Sequence, residues 1–288
     1  MKNLYYSIRI YIEEYPSKIE CHKIMDIADK ICLLLGCEYE KMGYFLLHPD
    51  YDYKDLGFMF GKSFEEKEYF RKLEIPFRYY GKGDEPPGSP SITFEIPASN
   101  ESLLPYFSIV FEYPALDAHY LCVEIDIKAD LMKNKISLNI FKCIQDVFLP
   151  FGYKINTAFL HYYSGNMKRI MFQGGICGVT TVNDWRIIDH SISYMENWKN
   201  KMMDVFYMNS IKKNIITVSA IERLRNIVGI ENFIEDNDMI MFKLSQSLST
   251  YLMNRYVSTN ERKKIKKLLQ KENLCNRDSS IISSILKL

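Results

Sequence analysis

The chain has 288 residues, 47% of them hydrophobic and 25% charged, and its 37 basic and 36 acidic side chains leave a net charge of +1. This length can bury a sizeable core, and the composition excludes wholesale disorder. The balanced charge excludes a broad electrostatic field, so neither nucleic acid nor an anionic membrane is indicated as a partner.

Taken in order, Tyr5 to Ile12 alternates as a first strand, and Pro16 and Ser17 end it. From Lys18 to Gly36 the apolar positions Ile24, Ile27, Ala28, Ile31, Leu34 and Leu35 recur at helical spacing, with Gly36 as the stop. Tyr39 to His48 returns to strand composition. A loop-rich span follows, acidic and aromatic at Asp50 to Gly57 and dense in Gly and Pro at Gly81 to Pro90. Three β-rich runs come next, Ile92 to Ile96, Phe107 to Tyr113 and Tyr120 to Ile127. Ile136 to Leu149 has a helical pattern, and Lys154 to Tyr163 reads as another strand. Strand, helix and aromatic strand thus occur twice, so the expected fold is α+β: a mainly antiparallel sheet with two βαβ-like units and helices on one face.

Beyond Tyr163 the sequence predicts strands at Ile170 to Phe172, Val205 to Met208 and Met239 to Leu244. Helices are predicted at Met195 to Met203, Ser219 to Val228, Gln246 to Val257 and Thr259 to Lys271, the last capped by Thr259. The domain reading is a main α+β domain over 1–166 and a smaller α+β lobe over 167–288.

No stretch carries a catalytic signature. His22, His48, His119, His161 and His190 are scattered without metal-ligand spacing, so no metal site is assigned. Gly174-Gly175-Ile-Cys-Gly178 matches neither a dinucleotide fingerprint nor a phosphate loop, and reads as a bulge or tight turn. No cofactor is therefore expected. The seven cysteines are odd in number and lack CxxC, as suits free thiols in a reducing cytoplasm. The N-terminus has no signal-peptide pattern and no run of eighteen apolar residues occurs, so a cytoplasmic chain without membrane spans is expected. The basic run Arg262 to Lys267 reads as a solvated helix face.

Two constellations are candidates for function. Asp50, Tyr51, Asp52, Tyr53 and Asp55, with Tyr79, Tyr80, Asp84 and Glu85 opposite, join carboxylates to rigid amphipathic rings, which suits recognition of another protein. They lack the glycine and bidentate glutamate of a calcium loop. Asp184, Arg186, Asp189 and His190 hold the ingredients of an active site, and give the alternative of an enzyme or accessory factor acting on nucleic acid or nucleotide. Adjacent Asp and His form no dyad by spacing alone, and no nucleophile motif accompanies them.

The strand Phe107 to Tyr113, the helix Ile136 to Leu149 with its following strand, GGICGV at Gly174 to Val179, and WKNKMMDVFYMNSI at Trp198 to Ile211 form a pattern. It resembles immunity proteins of bacterial polymorphic-toxin systems. The resemblance implies a cytosolic, enzymatically inert chain whose partner is a cognate protein toxin. Were that toxin a nuclease, the acidic loops would meet the basic residues that hold its phosphate. Oligomeric state is not legible in the sequence.

Overall fold

Tyr6, Ile8, Ile10 and Ile12 alternate with Tyr5, Ser7, Arg9 and Tyr11, a period of two that sends them to opposite faces of a strand. In the computed structural model they lie in β1 (Leu4–Glu13). The residues described are 4–13, 18–47, 57–61, 63–76, 89–97, 105–112, 120–131, 136–164, 202, 205–236, 238–245 and 259–275. After β1 come β2 (Lys18–Glu20), α1 (Cys21–Leu35), β3 (Lys41–Leu47), β4 (Gly57–Phe60), α2 (Phe64–Arg71) and β5 (Glu74–Pro76). Next are β6 (Ser89–Ile96), β7 (Phe107–Glu112), β8 (Tyr120–Lys128), α3 (Leu138–Asp146) and β9 (Lys154–Ser164). The last elements are β10 (Met208–Lys212), α4 (Val218–Val228), β11 (Phe233–Glu235), β12 (Met239–Lys243) and α5 (Asn260–Lys271).

Among the described residues ten strands form one antiparallel sheet in the order β11-β12-β10-β9-β1-β8-β7-β6-β3-β4, and β2 pairs with β5 apart from it. The fold is α+β, as expected. Both strand–helix–strand units are present, each spread around other strands. β8 and β9 are parallel to one another with β1 between them, and α3 makes the crossover. β1 and β3 are likewise parallel, with β8, β7 and β6 between them, and α1 crosses over. The strands expected in the C-terminal lobe extend this same sheet, because β10 pairs with β9 and β12 with β10. Residue 166, where the sequence suggests a boundary, lies outside the described residues, as do the predicted strand at 170–172 and the predicted helix at 246–257.

Register explains the core. Met208, Leu160, Ile8, Ile125, Ile109, Phe94 and Met42 sit opposite one another across seven strands and are all buried. Helices α1 and α3 belong to the same apolar cluster; α1 contributes Ile24, Ile27, Ala28 and Ile31 along one stripe. Phe94 gathers Tyr39, Phe70 and Phe111 around it, with ring centroids 4.9, 5.9 and 6.1 Å away. In this way α2 and the turn after α1 are tied to β6 and β7.

The next register row, on the other face, is different. Phe159, Arg9, Glu124 and Val110 lie opposite one another, and all four are buried. A strand face of an antiparallel sheet that carries Ser7, Arg9 and two tyrosines would ordinarily face water. Instead Arg9 is 3% exposed, and its Nη1 lies against a carboxylate oxygen of Glu124, directly across in β8. Removing one member of a buried ion pair strands the other's charge, at a cost of about 3–5 kcal/mol. Arg9→Met should therefore lower the urea midpoint strongly. Lys18→Met, which breaks the exposed Lys18–Glu74 pair, should leave the midpoint unchanged; comparable losses in the two variants would contradict the burial argument.

Candidate functional site

Both candidate constellations lie outside the described residues: Asp50, Tyr51, Asp52, Tyr53 and Asp55 with Tyr79, Tyr80, Asp84 and Glu85; and Asp184, Arg186, Asp189 and His190. The topology nevertheless fixes where the first two segments are rooted. The last residue of β3, Leu47, pairs with the first of β6, Ser89, and Phe45 pairs with Gly57, the first of β4. Segments 48–56 and 77–88 therefore both rejoin the sheet at one end. Glu112 of β7 and Tyr120 of β8 lie at that same end, as do Glu13 of β1 and Lys154 of β9. For the Asp184 to His190 segment no comparable anchor is described.

This end also carries a cleft of about 700 Å³ between the C-terminal part of α3, the start of β9 and the turns flanking β10 and β12. Glu13, Asp146, Lys154, Lys212, Lys213, Asp236 and Asp238 bring both signs of charge to it, over an apolar floor that includes Ile155, Met239 and Met241. α3 is built to deliver its part. Ser137 caps its N-terminus by accepting from the Ile140 N–H at 3.2 Å, and Leu138, Phe141, Ile144 and Gln145 form the buried stripe. That stripe leaves Lys142 and Asp146 on the flank one turn apart.

Lys142 is the clip of the cleft. Its Nζ lies 2.6 Å from Asp146 on its own helix and 2.8 Å from Asp236 beyond β11. Hydrogen bonds to Asp146 and then Asp236 raise its affinity for its proton, against the opposing effect of burial. Beside it, Lys213 lies 2.7 Å from Glu235, whose second partner is Arg225. The bond from Lys213 is the main reason the Glu235 carboxyl is held below its ordinary value. Lys212 approaches Glu13 at 3.5 Å. Gln145, 2% exposed, donates to the Phe141 carbonyl at 3.1 Å and reaches the Met241 sulfur at 3.7 Å.

Most charges here are thus already held in pairs. The arrangement is a rim of mixed charge in which most groups are paired within the chain. Among the described residues no group of three or more His, Cys, Asp or Glu could hold a metal ion, and no helix is long and apolar enough to cross a membrane.

No protein-family model and no curated protein matches this chain. Among solved structures it is similar to a T6SS protein of Pseudomonas aeruginosa. That similarity covers 99% of this chain and 87% of the other, with 8% identity and a TM-score of 0.48.

Sequence reasoning missed the cleft and also helix α2. The helix had a signal: Ser63 and Glu66 form a capping box, with the Glu66 N–H donating to Ser63 Oγ at 3.2 Å and the Ser63 N–H to the Glu66 carboxylate at 3.3 Å. For the clip only half was readable. Lys142 and Asp146 stand four apart in sequence, but the approach of Asp236 is a tertiary event. Because Lys142 binds its proton above the usual lysine range, the clip's contribution is fully present below the unfolded value near 10.5 and is lost as pH rises through the folded one. Lys142→Met should cost roughly 0.5–1 kcal/mol of stability. In urea titrations the gap to wild type should stay constant from about pH 7 to about pH 9 and narrow above about pH 10.5.

Proposed function

We propose that the chain is a non-catalytic binding protein that neutralises a cognate protein toxin by occluding its active site, and that the end of the sheet bearing the cleft is the surface it uses. One observation supports this reading above the others. Leu47 pairs with Ser89 and Phe45 with Gly57, so described residues that flank the two acidic, tyrosine-bearing segments stand side by side, at the same end as the charged cleft. Five strand spacings separate β3 from β9, about 24 Å at the usual interval. That span suits a protein interface of ordinary size, roughly 800 Å² per partner.

In this reading the sheet supplies rigidity and the connections supply contact. Asp50, Asp52 and Asp55 on one segment and Asp84 and Glu85 on the other provide negative charge, while Tyr51, Tyr53, Tyr79 and Tyr80 provide rigid area that loses little entropy on docking. Against a nuclease, these carboxylates would stand where phosphate normally sits, and charge complementarity would speed encounter and enforce choice of partner. The partner is to be captured from the native strain and identified by mass spectrometry, then co-expressed with this chain to measure protection. Replacing Asp50, Asp52 and Asp55 together by Ala should weaken that complex by at least roughly tenfold, chiefly through slower association, and should reduce protection. Undiminished affinity and protection in the triple variant would remove these residues from the interface.

A further inference from the structure

Helix α1 ends in a Schellman motif. The N–H of Gly36, whose φ of 67° suits a residue without Cβ, donates to the Leu33 carbonyl at 3.3 Å, and the Cys37 N–H donates to the Cys32 carbonyl at 3.0 Å. This closure brings together the side chains at its first and last positions, which are usually apolar and in contact. In this chain both positions are cysteine. Each thiol is the largest influence on the other's hold on its proton, as expected of two side chains set against one another by this closure. Cys32 is 4% exposed, whereas Cys37 is half-buried and so the more accessible of the two.

We infer that Cys32 and Cys37 are a thiol-oxidation site that closes reversibly into an intrachain disulfide by exchange with a small-molecule disulfide. Cys37 is the more accessible sulfur of the pair and is therefore the one that attacks, and the hydrogen bond from Cys32, with burial opposing, holds its thiol below the ordinary value. The same hydrogen bond, then burial, raises Cys32, which acts second. In the first step the Cys37 thiolate attacks one sulfur of the small disulfide, whose other sulfur leaves with the bonding pair and takes up a proton. In the second, Cys32 gives its proton to solvent and attacks the Cys37 sulfur, expelling the remaining small thiol. Two protein thiols are oxidised to one disulfide, and one small disulfide is reduced to two thiols.

The other described cysteines lack this arrangement. Burial pushes the Cys21 thiol up to about 12, Cys122 and Cys275 are buried, and Cys143 is exposed. Cys143 is therefore an internal control for simple surface reactivity. Once closed, the disulfide would pin the turn that leads from α1 into β3, the strand whose far end roots segment 48–56.

The test treats the full chain with oxidised glutathione, alkylates remaining thiols and maps tryptic peptides by mass spectrometry. One tryptic peptide, Ile31 to Lys41, contains both sulfurs. The expected product is that peptide lighter by two hydrogens and unalkylated, restored to a doubly alkylated form by prior reduction. Cys32→Ser should leave Cys37 as a stable glutathione adduct, and Cys37→Ser should leave Cys32 unmodified. Wild-type protein that keeps glutathione on Cys37, or that alkylates at both positions while Cys143 reacts, would overturn the assignment. So would a Cys37→Ser variant whose Cys32 reacts as fast as Cys37 does in wild type.

Discussion

The fold depends on the insertion of β1 between β8 and β9. From Tyr5 to Ile12 every residue of that strand is buried, with an antiparallel neighbour on each side. Its apolar row completes the layer beneath α1 and α3, and its polar row places Arg9 against Glu124 at the middle of the sheet. One N-terminal segment thus joins residues near 125 to residues near 160, and both strand–helix–strand units share it. A strand so placed cannot slip by a single residue, because every isoleucine would exchange places with Ser7, Arg9 or a tyrosine. The buried ion pair makes such a slip costlier, since two charges would lose each other in a poorly solvated interior.

The central register also aligns the strand ends, and this connects fold to function. With all neighbours antiparallel, Glu13, Glu112, Leu47 and Lys212 finish at the same end, where Tyr120, Ser89, Gly57 and Lys154 begin. Strand ends far apart in sequence become neighbours there. The ion pairs around Lys142 and Glu235 stiffen one side of that end by holding α3 to the segment after β11 and α4 to β11. Under the proposed function, a partner docking on this end would meet side chains already held in place, which lowers the entropy lost on binding.

Much of this was legible in the residues. Strand periodicity located β1, β3, β6, β7, β8, β9 and β12, and helical spacing located α1, α3, α4 and α5. Gly36 and Thr259 mark termini where the sequence put them, because a left-handed cap and a hydroxyl cap are local chemistry. The strand expected at Val205 to Met208 begins instead at Met208, where pairing with Leu160 starts. Apolar residues such as Val205 and Phe206 are buried without being in the ladder, and composition alone does not separate the two cases. The burial of Arg9 was illegible for a related reason, since its partner lies 115 positions away. The clip at Lys142 likewise needed Asp236, which only the pairing of β11 with β12 brings near.

Among the described residues, the three-residue β11 stands at one margin of the sheet, and this has its own consequence. Unsatisfied backbone groups along a long, apolar margin recruit further chains, the first step towards fibres. Here the margin is short, and Glu235 within it is held by Lys213 and Arg225, so an approaching strand would meet fixed charge before it found a hydrogen-bonding row. On that side the molecule carries its own protection against self-polymerisation.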